Sequence, residues 1–144
     1  MKENEKLLMS IHKNAEMGRN TIDKLIPEVA DETFKGLLES QHDEYSRVFT
    51  AADVLLKKID GDDRGVPPMA KTMGNVMIEL STLSDHSTAK LAEMVLKGTD
   101  KGIEELAEAM AAFSVHAKQE TLNLAEMFDE LLRRNRHELK KYTE

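Results

Sequence analysis

Apolar residues recur three and four apart through four long segments of this chain, and that spacing admits few folds. It puts one face of an α-helix into a core and cannot serve a strand, whose faces alternate every residue. The first segment, 3–26, carries Leu8, Ile11, Ala15, Gly18, Ile22 and Leu25. Pro27 ends it, because proline has no N–H for the helical ladder. The second, about 31–60, carries Phe34, Leu38, Gln41, Tyr45, Val48, Ala52, Leu55 and Ile59, with Asp31 as its expected N-cap. The third, about 85–113, is capped by Ser84 or Asp85 and carries Ala92, Val95, Thr99, Gly102, Leu106, Ala109 and Phe113. The stripe then breaks at His116 and Glu120, which predicts a hairpin near Ser114. It resumes over about 115–142 as Thr121, Ala125, Phe128, Leu132, Asn135, Leu139 and Tyr142.

Between the second and third segments, Gly61 to Pro68 reads as a loop. A short helix at about 68–81 is expected next, with Met69, Met73, Val76, Met77 and Leu80 on one face. The methionine stripe is read as docking onto the chain's own bundle. The expected fold class is all-α: four long helices in a bundle, plus a short extra helix in the connection between the second and third. At 144 residues the chain is expected to form a single domain, 1–144. A connection of that length can carry the chain back along the bundle as a crossover; a plain up-and-down bundle is the alternative.

Composition narrows function more than fold. The net charge is −7, which argues against nucleic acid, since phosphate backbones need a basic face. There is no cysteine, so disulfides, thiolate metal sites and thiol catalysis are excluded. No apolar run reaches membrane-spanning length, and the charged N-terminus is not followed by an apolar stretch. A cytoplasmic protein without a membrane partner is expected. No Gly-x-Ser-x-Gly or phosphate-binding glycine loop is present, so nucleophilic and phosphoryl-transfer catalysis find no support.

One motif suggests metal. Glu39 and His42 form a Glu-x-x-His pair, the spacing that supplies ligands to carboxylate-bridged di-metal sites in helical bundles. On the helical wheel, however, Glu39 lies about 155° and His42 about 95° from the stripe centred on Gln41. Both are therefore expected to face solvent. On the first helix Glu16 lies about 130° off its stripe, and the fourth helix offers no matching pair. The expected ligand set is empty, with no cofactor. Under the alternative of a di-iron or manganese protein, Glu39 and His42 would be ligands.

What does fall inward is neutral. Gln41, Tyr45, Thr99 and Asn135 lie on stripes, Asn14 lies at the edge of one, and the helical rise puts Gly18, Gln41 and Gly102 near mid-bundle. These groups are expected to form a polar mid-core layer that either sets register or lines a small pocket. Gly18, Gly98 and Gly102 lie inside helices, where each costs about 1 kcal/mol relative to alanine. With Ala15 they are expected to mark close helix–helix packing.

Several segments together resemble the ferritin-like four-helix-bundle superfamily, and more narrowly the small ferritin-like proteins of anaerobic Gram-positive bacteria. They are Asn14-Ala15-Glu16-Met17-Gly18, Gln41 with Glu44-Tyr45, Leu83 to Thr88, Ala92-Glu93-Met94, and Gly98-Thr99-Asp100-Lys101-Gly102-Ile103. The resemblance spans nearly the whole chain. It implies a crossover bundle and, in many relatives, two bound metals that oxidise or store iron; of that ligand motif only Glu39 and His42 match by spacing. The functional expectation is a non-enzymatic binding or protein-interaction module, self-associating or meeting a protein partner. The alternatives are the di-metal iron oxidase or storage protein, and a small-molecule-binding bundle with a polar mid-core pocket.

Overall fold

A computed structural model describes residues 2–60 and 85–144. All regular structure in them is helical: α1 (Glu3–Leu25), α2 (Glu32–Asp60), α3 (Thr88–Phe113) and α4 (Gln119–Lys140), with 3₁₀ turns at Ile26–Glu28 and Ser114–His116. The expected loop at 61–68, the short helix at 68–81, its methionine stripe and the Ser84 cap lie outside the described residues.

The helix boundaries follow local chemistry. Pro27 falls in the 3₁₀ turn that closes α1. Asp31 caps α2 as expected, its Oδ1 accepting from the Phe34 N–H at 2.9 Å. The third helix starts later than 85. Ser87 is its N-cap, its Oγ accepting from the Lys90 N–H at 3.3 Å, while Asp85 Oδ1 accepts from the Ser87 N–H at 2.9 Å. The fourth helix starts at Gln119 rather than 115, because the chain takes a 3₁₀ turn and two extended residues, Ala117 and Lys118, first.

Four helices pack against one another, and their contacts fix direction. His12 meets Asp53 and His42 meets Asp23, so α1 and α2 are antiparallel. Asn4 Oδ1 accepts from the Lys118 N–H at 2.9 Å, joining the start of α1 to the start of α4. Phe34 stacks on Tyr142 with centroids 5.0 Å apart, joining the start of α2 to the end of α4. Lys6 lies over the Phe113 ring at the end of α3. The order is therefore up, down, down, up, and the end of α2 and the start of α3 lie at opposite ends of the bundle. The plain up-and-down alternative is not the arrangement observed.

α1 packs against both α2 and α3, and α4 against α3 and α2. The core is aliphatic, with Leu7, Leu8, Ile11, Ile22, Leu25, Leu38, Leu106, Leu132 and Leu139 fully buried around Phe34 and Phe128. Each such side chain contributes about 1.5–3 kcal/mol of transfer free energy.

Candidate binding cleft and its polar layer

Three polar contacts between helices set the register at mid-bundle. His42 Nε2 is 2.9 Å from Asp23 Oδ1, Arg134 Nη2 is 2.5 Å from Glu44 Oε2, and Arg136 Nε is 2.8 Å from Asp100 Oδ1. Their chain neighbours Gln41, Asn135 and Thr99 accordingly share one level of the core. Tyr45 sits one turn along α2, with Thr99 and Asn135 beside its phenol, where their polar groups favour the ionised form. Burial pushes the Tyr45 phenol up to about 12, against the opposing pull of Thr99 and Asn135. At neutral pH it is a neutral donor and acceptor. Thr99 Oγ1 donates to the Val95 carbonyl at 2.9 Å, the back-bond available to threonine inside a helix.

The layer is incompletely paired. Gln41 is 1% exposed, and neither its Nε2 nor its Oε1 has a hydrogen-bond partner; Asn135 Nδ2 has none either. An unpaired buried amide group costs about 1–3 kcal/mol. Gln41→Leu, close in volume and without polar atoms, is therefore expected to stabilise the fold by about 1–3 kcal/mol in urea denaturation. A loss of stability would mean that the amide is satisfied in solution.

A cleft of about 60 Å³ opens between α1 and α3 beside this layer. Asn14, Gly18 and Thr21 line it from α1, Gly98, Thr99 and Gly102 from α3, and Tyr45 and Phe128 from the other helices. Of the expected mid-core layer, Asn14, Tyr45 and Thr99 thus reach the cleft. Gln41 and Asn135 are buried but not on its wall. Asn14 Nδ2 lies 3.5 Å from Ser10 Oγ, at the limit of a hydrogen bond.

The glycines play different parts. A Cβ on Gly18 would stand 2.5 Å from Cε1 and Cζ of Tyr45, so the tyrosine ring lies directly on the α1 backbone. Ala15, one turn earlier, is fully buried. The expectation of close helix packing at Gly98 is corrected: a Cβ there would meet nothing within 4 Å, and the residue is exposed on the cleft wall. At Gly102 a Cβ would stand 3.8 Å from Leu132, ordinary van der Waals contact. Gly98→Ala is thus expected to raise stability by about 1 kcal/mol, because helix propensity improves and nothing is displaced. A thermal or urea melt measures it.

The Glu-x-x-His pair faces outward. Glu39 is exposed, and half-buried His42 is engaged with Asp23. Among the described residues, no cluster of three or more His, Asp or Glu could hold a metal ion.

Sequence periodicity missed a buried polar cluster on α1. His12 is 2% exposed and Glu16, expected outside, is also buried. Phe49 of α2 extends the covered arc of α1: its ring lies 4.2 Å from the His12 ring and carries the Arg19 guanidinium at 4.3 Å on its face. His12 Nε2 stands 3.3 Å from Asp53 Oδ1, off the line of a formed hydrogen bond, and Lys57 holds Asp53 from the other side at 3.1 Å. Burial holds the His12 imidazole below its ordinary 6.5, with Asp53 and Glu16 pulling upward and Arg19 downward. The unfolded chain therefore takes up a proton near pH 6.5 that the folded chain refuses, and stability falls as pH drops through that range. Urea midpoints at pH 7.5 and 5.5 should show a larger acid-side loss in the wild type than in His12→Gln. Equal losses would contradict the assignment. Asn4, also buried, was legible in principle, since it lies on the Leu8–Ile11 stripe one turn upstream.

No protein family, curated protein or solved structure matches the chain.

Proposed function

We propose that this chain is a non-enzymatic binding module built on a ferritin-like crossover bundle, with the α1/α3 cleft as its binding element. The observation that carries the reading is the cleft itself: neutral hydrogen-bonding groups from three helices converge on it, and its α3 wall includes two glycines where packing asks for none. The ferritin-like assignment draws on the residue runs that resemble that superfamily and on the up, down, down, up order of the helices. The solvent-facing Glu39 and the engagement of His42 with Asp23 speak against the di-metal alternative. The net charge of −7 disfavours a nucleic-acid partner, and no described helix is long and apolar enough to cross a membrane.

Two measurements test the proposal. Amide chemical-shift mapping with a chemically mixed fragment set should give saturable shifts that cluster on Asn14–Ile22 and Val95–Gly102. Metal analysis after iron loading should return no stoichiometric iron. Two tightly held equivalents of iron, or a fragment set that maps nowhere on the cleft, would overturn the reading.

A further inference from the structure

Resting on the reading of the cleft as the binding element, we infer that its ligand is a small uncharged molecule with a primary amide or alcohol head on a short aliphatic body. Size comes first. One water needs about 10–15 Å³ of such space, so a 60 Å³ cleft takes about four to six non-hydrogen atoms.

Charge comes second. The charged residues on the wall are Lys101 and Glu105, one turn apart on α3 and 3.9 Å from each other. Lys101 is two-thirds exposed, so this pair stands at the mouth and is neutral as a unit. The polar groups deeper in are an amide, two threonine hydroxyls and a phenol. None carries charge to meet an ion, and an ion leaving water for them would lose more solvation than they return. Neutral donor–acceptor heads suit them: Thr99 has given its hydroxyl proton to Val95 and keeps lone pairs to accept with, while the Asn14 amide offers both a donor and an acceptor. Phe128, Leu132 and Val95 supply the apolar end of the cleft.

The bare wall is the independent observation. Gly98 and Gly102 weaken α3 relative to alanine, yet each has room for a Cβ. Side chains there would project into the cleft, so glycine keeps it open for a guest. Among other features, the α2/α4 groove around Met127 is larger, about 220 Å³, but already pairs its Arg134 with Glu44 and points to no particular occupant.

The test uses three isosteres of one shape: isobutyramide, isobutyrate and isobutyramidinium, each titrated into the ¹⁵N-labelled full chain. Isobutyramide should shift the Gly18, Gly98 and Gly102 amides saturably and bind roughly tenfold tighter than either ion. Gly98→Leu, at a position where a Cβ meets nothing within 4 Å, should weaken isobutyramide roughly tenfold while leaving the remaining spectrum folded. A charged isostere binding as tightly as the amide would overturn the ligand class and leave the cleft standing as a binding element. Binding of other fragments in the cleft with no response to isobutyramide would do the same. Failure of every fragment class to map there would remove the binding-element reading itself.

Discussion

Replacing Gly18 by alanine should destabilise the bundle by about 1–3 kcal/mol, the usual cost of overpacking a well-filled core. The sign opposes helix propensity, which favours alanine by about 1 kcal/mol. The clash decides it, because the new Cβ would stand 2.5 Å from the Tyr45 ring. That ring has little freedom to retreat. It is 4% exposed, packs edge-on against Phe128 with centroids 6.1 Å apart, and has Thr99 and Asn135 beside its hydroxyl. A double-mutant cycle separates the two terms. In a Tyr45→Ala background the clash is gone, so Gly18→Ala should turn neutral or stabilising by up to about 1 kcal/mol. If Gly18→Ala stabilises the wild type as well, the tyrosine does not rest on the α1 backbone.

Phe128→Ala should cost more, about 3–5 kcal/mol. Phe128 is fully buried, lines the cleft and supports the Tyr45 ring, so truncation loses its transfer free energy and also leaves a void. Because the void adjoins the cleft, the variant should bind a bulkier aliphatic fragment than the wild type. Urea denaturation measures the first effect and fragment titration the second. A loss under about 1 kcal/mol would mean that the site collapses freely, and would speak against a preformed cleft.

These predictions also mark what the sequence made legible. The four long helices were readable because each carries a long stripe that is apolar at most of its positions, and a stripe of that length has one structural meaning. The polar layer was readable for the complementary reason: Gln41, Thr99 and Asn135 stand on stripes where apolar residues were due. Their shared level required the chain directions, which turn on tertiary contacts such as Asn4 with Lys118. The outward facing of Glu39 also followed from the wheel, since a string match ignores the 100° step between helical neighbours.

The misses have physical causes as well. His12 and Glu16 lie off the α1 stripe yet are buried, and His12 is covered by Phe49 of α2, a neighbour whose position periodicity on α1 cannot reveal. Gly98 and Gly102 share a face at four-residue spacing whether that face meets a helix or an open cleft. Only the space around each Cβ separates the two cases. The start of α3 moved from Asp85 to Thr88 because serine and aspartate both cap helices, and here Asp85 orders the turn in which Ser87 caps.

The most direct test of the cleft is to locate a bound fragment by its own protons. Intermolecular nuclear Overhauser effects should connect the isobutyramide methyls to the Phe128 ring and the Leu132 methyls, and Gly98→Leu should abolish them. Contacts confined to exposed apolar residues such as Met127 or Val115 would contradict the account, because the fragment would then be sampling surface rather than a site.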